Sequence, residues 1–254
     1  QDDTIIVATD SLRATVHQPL WLEWHYRNIE GEWLPLVNDR PTSAYLLNAH
    51  GDGVAHYQSR RPDERFYGLG DKAGDLQRNG KRYEMRNLDA MGYNAVSTDP
   101  LYKHIPFTIT RRDDISFGLF YDNLSSCWLD LGNEIDNYHT AYRRWQAEAG
   151  DIDYYLFTGD RVLDVTKAFV RLTGKTLFGP KWSLGYSGST MHYTDAPDAQ
   201  NQLMNFIRLC NEHAIPCDSF QLSSGYTSIN GKRYVFNWNE EKVPQPKVMS
   251  QAFH

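Results

Sequence analysis

Cysteine is scarce in this sequence, which has three among its 254 residues: Cys127, Cys210 and Cys217. An odd number without paired spacing argues against a disulfide framework and against a cysteine-based metal site. The nine histidines are scattered without metal-ligand spacing. A phosphate-binding loop and a His-Glu-x-x-His motif are also lacking. We therefore expect no bound metal and no cofactor.

Long apolar runs and clustered positive charge are lacking as well. No apolar run approaches the roughly 20 residues of a membrane-spanning helix. Acidic residues outnumber basic ones by 32 to 26, which gives a net charge of −6. Nucleic-acid-binding surfaces need clustered Lys and Arg, so this balance argues against a nucleic-acid partner. The sequence predicts a soluble protein, in the cytoplasm or, after removal of a signal, in the periplasm or outside the cell. The oligomeric state is left open.

Aromatic residues, by contrast, are abundant. They make up 13% of the chain, with 16 Tyr and 7 Trp. Sugar sites use aromatic faces, but β-sheets are also rich in aromatic residues for packing reasons. The composition alone favours carbohydrate binding only slightly.

Residues 1 to about 158 have the pattern of short strands and turns. Alternating or β-branched runs predict strands at 4–8, 12–16, 20–24, 107–110, 116–121 and 152–157. No helical period is found before Asp160. Many short strands at this spacing favour an antiparallel β-sandwich.

A helical pattern begins after this region. Asp160 is the expected N-cap of a helix that ends at Gly174. The Gly179-Pro180 pair lies in an expected linker, residues 175–181. We therefore predict an N-terminal β-sandwich domain with a closing helix over residues 1–175 and a second domain over residues 176–254.

The second domain is predicted to begin with a strand–helix–strand unit. The strands are expected at 182–188 and 217–222, and Asp195 is the expected cap of the helix between them. The helix has an apolar face at i, i+3, i+4 and i+7, formed by Leu203, Phe206, Ile207 and Cys210. Such a unit implies parallel strands.

A further helix is expected from Lys247 onward. About 75 residues follow the linker, whereas a complete (β/α)8 barrel needs ~250. The sequence thus predicts a barrel that is incomplete at His254.

Several segments resemble, in order along the chain, the family 31 glycoside hydrolases, which include α-glucosidases and α-xylosidases. Arg65-Phe-Tyr-Gly-Leu-Gly-Asp71 resembles the Tyr-Gly-Leu-Gly-Glu signature of that family. The other similar segments are Asn87-Leu-Asp89, Asp99-Pro-Leu-Tyr102, Ile105-Pro-Phe107, Phe117-Gly-Leu-Phe120, Pro180 to Tyr186, Ile215-Pro-x-Asp218 with Tyr226, and Phe236-Asn-Trp-Asn239 with Pro244, Pro246 and Met249. Each motif is weak alone, but the ordered set is specific.

The resemblance implies a β-sandwich followed by a (β/α)8 TIM barrel, and hydrolysis of α-linked oligosaccharides or other α-glycosides with retention. In such enzymes one Asp is the nucleophile and another is the acid/base, ~5–5.5 Å apart. By resemblance both lie on later barrel strands, beyond His254. This fragment alone is therefore expected to be inactive, and the resemblance implies no cofactor.

The resemblance also implies which residues contact the sugar. Asp89 matches a sandwich-loop aspartate that reaches the pocket. The candidate substrate-binding residues are Asp89, Tyr186, Met191, His192, Ser223, Ser224 and Tyr226. Trp182 is a weaker candidate near the barrel mouth and has core packing as its alternative role. Arg233 and Trp238, in the loop after the second strand, are weaker candidates for an outer subsite.

Two of these positions depart from the pattern of the family. Where the family has Asp-x-Asp-Tyr after the second strand, this chain has Ser223, Ser224, Gly225 and Tyr226, and Met191 replaces a tyrosine. The departure predicts another sugar, a modified sugar or a transglycosidase activity, unless the strand ends are aligned one or two residues out of register. A non-catalytic carbohydrate-binding module is the alternative from a different class.

Overall fold

The computed structural model describes residues 4–48 and 52–254. The chain falls into two compact units, residues 1–175 and 176–254. The first unit consists of β-strands followed by a helix. Its elements are β1 (Ile5–Ala8), β2 (Leu12–His17), β3 (Trp21–Arg27), β4 (Trp33–Asn38), β5 (Tyr45–Leu47), β6 (Val54–Ser59), β7 (Arg65–Gly70), β8 (Arg82–Met85), β9 (His104–Arg111), β10 (Ser116–Tyr121), β11 (Cys127–Asp130), β12 (Tyr142–Ala147), β13 (Tyr154–Gly159) and α1 (Val162–Thr173).

These strands form three antiparallel sheets. Their strand orders are β1-β2-β3-β4, β13-β10-β9-β7 and β5-β6-β12-β11-β8, called here the first, second and third sheets. Each strand predicted for this first unit is present, with bounds within three residues of those expected, and no helix precedes Val162 in residues 4–48 and 52–161. The prediction of an antiparallel, β-rich N-terminal domain is confirmed.

The main core lies between the second and third sheets. Phe66 and Phe117 from the second sheet pack in one buried cluster with Leu129 and Trp145 from the third. Alternation explains β10: Phe117, Leu119 and Tyr121 face this core. A fully buried aromatic or leucine side chain contributes about 1.5–3 kcal/mol by leaving water, so this layer stabilises the unit.

The other face of the second sheet is covered by α1. Val165, which is fully buried, packs in a separate cluster with Phe107 and Ile109 of β9. The rings of Phe107 and Phe169 stack with centroids 4.1 Å apart. The second sheet is therefore apolar on both faces, and α1 closes the unit.

The predicted cap of α1 is wrong by one residue. Arg161, and not Asp160, occupies the N-cap position, and no side chain caps the first turn. The Arg161 guanidinium instead donates to both carboxylate oxygens of Asp164, each at 3.1 Å. The predicted end is confirmed, since Gly174 follows the last turn with φ of +97° and its N–H donates to the Val170 carbonyl.

The second unit contains the expected strand–helix–strand arrangement. Its elements are a 3₁₀ helix (Lys181–Leu184), β14 (Ser187–Gly188), α2 (Met191–Asp195), α3 (Ala199–Glu212), β15 (Ser219–Phe220), a second 3₁₀ helix (Ser224–Thr227) and α4 (Pro246–Phe253). β14 and β15 pair in parallel, as predicted. Leu203 and Cys210 of the predicted apolar face are buried, and the helix expected from Lys247 is α4.

Three local predictions in this unit are wrong. Residues 182–184 are not a strand, because the Ser183 N–H and hydroxyl both donate to the Pro180 carbonyl and close a 3₁₀ turn. The second strand is confined to Ser219–Phe220. Asp195 is the last residue of α2, and Asp198 occupies the N-cap position of α3.

Candidate functional site

The C-terminal end of β15 leads into the second 3₁₀ helix, and three of the seven predicted sugar-contacting residues lie in this helix or immediately before it. Ser223 precedes this helix, Ser224 and Tyr226 lie in it, and Ser224 is exposed. The Tyr226 ring contacts the ring of Trp238, with centroids 4.7 Å apart. In barrels of parallel strands, functional side chains come from the C-terminal strand ends. Hydroxyl groups and an aromatic pair therefore meet at the expected edge.

The C-terminal end of β14 leads to α2, which packs against the second 3₁₀ helix. Met191 and His192 form the first turn of α2, and Thr190 caps that turn by accepting from the His192 N–H at 3.1 Å. Both side chains are exposed. The structure thus brings the segment that carries Met191 and His192 beside the segment that carries Ser224 and Tyr226.

Tyr186 lies differently. It precedes β14, so it is at the start of the strand and not at its C-terminal end. Its carbonyl accepts from the Asp218 N–H at 2.9 Å, and its side chain is exposed. Tyr186 is therefore not brought into the pair of segments described above.

Gly225 has no room for a side chain. A Cβ at this position would lie 2.5 Å from the backbone N and the Oδ1 of Asp195, and 2.5 Å from the carbonyl carbon of Thr194. Real Cβ atoms do not approach backbone atoms this closely, so any larger residue would displace α2. The end of α2 therefore fills the space that a carboxylate side chain at position 225 would need.

Asp195 itself carries a carboxylate at this place. Arg233 donates to it twice, with Nη1 to Oδ1 at 3.1 Å and Nη2 to Oδ2 at 3.2 Å. These hydrogen bonds hold the pKa of Asp195 below its ordinary value. Lys242 joins the same assembly, because its ammonium donates to the carbonyls of Asp195 and Gly225 at 3.0 and 3.3 Å.

Sequence reasoning missed Asp195 and Lys242 as parts of this site. Asp195 had a plausible competing role as a helix cap, and Lys242 lies in a loop without a motif. One signal was available: Thr190 is a good cap residue five positions before Asp195. It marks a short helix that ends at Asp195.

Asp89 belongs to the first unit, whereas the other six candidate residues belong to the second. It is exposed in the long loop between β8 and β9. The pKa of Tyr102 in the same loop is raised, first by desolvation and then by the hydrogen bond and the charge of Asp89. Asp89 and Tyr102 are therefore close neighbours.

The root of this loop is anchored by Lys72 and Asp99. The buried Lys72 ammonium donates to Asp99 Oδ1 at 2.7 Å and to the Glu84 carbonyl. Asp99 Oδ2 accepts from the Glu84 N–H at 2.6 Å. Burial lowers the pKa of Lys72, opposed by its hydrogen bond to Asp99. The loop that carries Asp89 is thereby tied to β8.

The second unit also contains a cavity of about 510 Å³. It is lined mainly by apolar side chains, among them Phe220, Phe253 and the weaker candidates Trp182 and Trp238, and by none of the seven main candidate residues. Sugars are bound through convergent polar groups, so the strand ends suit a sugar better than this cavity does.

The described part of the chain carries neither a candidate metal cluster nor a helix suited to a membrane. Across 4–48 and 52–254, no group of three or more His, Cys, Asp or Glu side chains could hold a metal ion. None of the helices described is both long and apolar enough to span a membrane.

Two family models match the chain. Residues 1–130 match the N-terminal galactose mutarotase-like domain of glycosyl hydrolase family 31, and residues 176–254 match the TIM-barrel domain of the same family. The β-rich first unit and the parallel strand pair of the second agree with these two domain types. The chain thus contains the β-sandwich and the start of a TIM barrel.

Curated relatives are similar over most of this chain. Alpha-glucosidase 2 of Bacillus thermoamyloliquefaciens is 34% identical over 186 residues, which cover 73% of this chain and 22% of that protein. The human neutral alpha-glucosidase AB is 29% identical over 206 residues, covering 73% and 21% respectively. The chain spans about a fifth of the length of these relatives.

Solved structures are similar over the whole chain. A family 31 dextranase of Flavobacterium johnsoniae, complexed with glucose, is 28% identical and has a TM-score of 0.80, covering 99% of this chain and 29% of that one. A glucosidase II alpha subunit, at 18% identity and a TM-score of 0.75, shares the fold. One family model matches half of the chain, and a second model of the same family matches the whole of the second unit. The chain therefore belongs to glycosyl hydrolase family 31.

Proposed function

We propose that this chain supplies the sandwich and the first βα units of the barrel of a retaining α-glycoside hydrolase that acts on α-linked oligosaccharides. The observation that carries the proposal is the match of both family domains in their order along the chain. The names of the relatives support it, since they are α-glucosidases and a dextranase.

The proposed reaction is a double displacement. A carboxylate attacks the anomeric carbon while a carboxylic acid protonates the leaving oxygen, and water then releases the glycosyl group from the enzyme with retention. We assign both catalytic aspartates to barrel strands that follow His254 in a longer protein. This chain contributes sugar binding and not the nucleophile or the acid.

The proposed binding role falls on Asp89, Met191, His192, Ser223, Ser224, Tyr226 and, with a less favourable placement, Tyr186. Serine hydroxyls can donate to and accept from sugar hydroxyls, and a carboxylate such as Asp89 accepts the stronger, charge-assisted kind of hydrogen bond. The exposed Met191 would offer an apolar wall.

The presence of glycine at position 225 favours a substrate other than glucose, or a reaction other than the simple release of glucose. Neither Ser223 nor Gly225 provides a charged acceptor at the strand end. Replacing a charged acceptor by a neutral hydroxyl weakens a sugar contact by roughly half. We therefore include a modified sugar and transfer to an acceptor sugar within the proposal.

The test is an assay of the intact gene product on aryl α-glycosides and α-linked oligosaccharides, with the anomer first released followed by NMR. We expect the α-anomer, and an oligosaccharide product where transfer occurs. The 254-residue chain alone, prepared identically, should show no turnover. Release of the β-anomer, or no cleavage of any α-glycoside by the intact protein, would overturn the proposal.

A further inference from the structure

The ion pair of Asp195 and Arg233 lies where the C-terminal ends of the two barrel strands meet. It is bidentate, and both side chains are open to solvent, with exposed fractions of 40% and 42%. Gly225 permits this position, because a Cβ on residue 225 would lie only 2.5 Å from the Asp195 backbone N and Oδ1. The pair is therefore accessible and adjacent to the serines and Tyr226.

The backbone beneath the pair is held by hydrogen bonds from two side chains, Lys242 and Thr194. Lys242 donates to the carbonyls of both Asp195 and Gly225. The buried Thr194 hydroxyl donates to the Thr190 carbonyl at 3.3 Å, which ties together the two ends of α2. A group held in this way loses little freedom when a ligand binds, so more of the contact energy is expressed as affinity.

Hydrogen-bonding capacity remains in both partners. A guanidinium has five N–H donors in a planar fork, and Asp195 uses two of them. A carboxylate has about four acceptor sites, of which Arg233 fills two. One partner can accept the proton of a hydroxyl while the other donates to the oxygen of its neighbour. Two adjacent hydroxyls on a sugar ring present this combination.

An aromatic pair begins at the residue that follows Gly225. Tyr226 follows Gly225 in the chain, its ring contacts that of Trp238, and Trp238 is 37% exposed. The Tyr226 carbonyl accepts from the Asn239 N–H at 2.9 Å, which fixes the loop that carries Trp238. Polar groups beside an aromatic face suit a sugar, which has hydroxyls at its edge and C–H groups on its faces.

We propose that the Asp195–Arg233 pair binds two adjacent hydroxyls of the sugar substrate and so determines which sugar is accepted. Asp195 would supply, from the end of α2, the carboxylate that Gly225 has no space to carry. This inference rests on the proposed function for its ligand class, but its geometry is independent of the catalytic aspartates.

The test compares Asp195→Asn with the wild type in the intact gene product. The substrates are the best aryl α-glycoside and the set of its monodeoxy analogues. For the parent glycoside we expect KM to rise about 10- to 100-fold, the usual size for a lost charged hydrogen bond. One or two of the deoxy analogues lack the hydroxyl that Asp195 binds. For these analogues KM of the variant should equal KM of the wild type, because neither protein can form that hydrogen bond.

Two further variants make the result specific. Arg233→Lys keeps the charge but loses the fork, so the same analogues should be affected. Asp63→Asn is the matched control, because Asp63 forms a bidentate pair with Arg61 in the first unit that is also open to solvent. It should leave KM unchanged. Thermal unfolding of each variant shows whether the fold is retained.

Equilibrium binding separates this inference from the proposed function. Methyl α-glycosides and their deoxy analogues are titrated into wild type and Asp195→Asn and followed by ligand-observed NMR. The inference would be overturned, and the proposed function kept, if the protein cleaves α-glycosides but Asp195→Asn either has no effect on binding or weakens the binding of every analogue equally. The proposed function would be overturned, and the inference kept, if the protein has no turnover but Asp195→Asn weakens binding of the parent glycoside selectively. Neither cleavage nor binding of any sugar would overturn both.

Discussion

Gly118 of β10 lies so close to Val165 of α1 that a Cβ on residue 118 would be 2.7 Å from Val165 Cγ1. Phe107 would be approached equally closely. Gly118→Ala should therefore destabilise the protein by about 1–3 kcal/mol through overpacking. Urea unfolding of the single variants and of Gly118→Ala/Val165→Ala measures the coupling. The penalty at 118 should shrink when Val165 is truncated, whereas additive penalties would contradict the close contact.

The buried polar cluster of the sandwich supplies a second prediction. Asp39 accepts from His56 Nε2 at 2.8 Å and from the Tyr45 hydroxyl, and all atoms of Asp39 and His56 are inaccessible to solvent. Asp39→Ala should cost about 3–5 kcal/mol, because it leaves buried donors without an acceptor. Chemical denaturation measures this loss. Asp52→Ala, at an exposed position, is the control, and a comparably small effect at both sites would refute the role of the cluster.

A carboxylate placed at 225 should harm the site. Gly225→Asp would push the new side chain into Thr194 and Asp195, so the free energy of unfolding should fall by about 1–3 kcal/mol. Ser224→Asp places the same charge on the neighbouring exposed residue and should leave stability near that of the wild type. Thermal unfolding distinguishes the two. A Gly225→Asp variant as stable as Ser224→Asp would show that α2 yields easily.

Loss of Lys72 should loosen the loop that carries Asp89. Lys72→Ala removes the bond to Asp99 and leaves that carboxylate with the Glu84 N–H alone. Amide hydrogen exchange in residues 86–103 should accelerate, and KM of the intact protein should rise if Asp89 binds sugar. Lys103→Ala, in the same loop but exposed, is the matched control. Unchanged amide hydrogen exchange in Lys72→Ala would contradict the anchoring role of Lys72.

Acid should release a loop in the third sheet. Asp136 accepts from the ring and backbone N–H of His139, and this lowers the pKa of Asp136 from 3.8 to about 2, with the ring hydrogen bond as the main cause. A carboxyl with a depressed folded pKa stabilises fully above its unfolded value and loses that contribution as pH falls. The loss should occur between about pH 4 and pH 2. NMR titration of the Asp136 carboxyl tests this, and a midpoint near 3.8 would contradict it.

The sequence predicted those parts of the fold that repeat a short pattern. Alternation in β10 indicates a strand because every second residue, from Phe117 to Tyr121, faces one core. The apolar spacing of α3 predicted a helix for the same reason, because Leu203 and Cys210 recur on one face and are buried. By contrast, α2 has five residues, too few to display a helical period, so the sequence predicts only a cap at Asp195 and no helix before it.

The site was harder to predict because its members meet through the fold. The position of Ser223 and Tyr226 followed from the strand pattern and the family resemblance. That Asp195 lies against Gly225 depends on the path of α2, and the role of Lys242 depends on a bond to two carbonyls from separate segments. Such contacts leave no periodic trace in the sequence.

The contact between α2 and the second 3₁₀ helix has a consequence for engineering. Residues 191–195 and 223–226 pack closely against each other at Gly225, so the two segments form one structural unit. A chimera that takes residues 223–226 from a homologue with a larger residue at 225, but retains α2, would collide. One that exchanged α2 alone, for a segment without Asp at position 195, would lose the carboxylate. Under the proposed binding role of these residues, grafting a new sugar preference into this scaffold requires that both segments be exchanged together, along with Arg233 and Lys242.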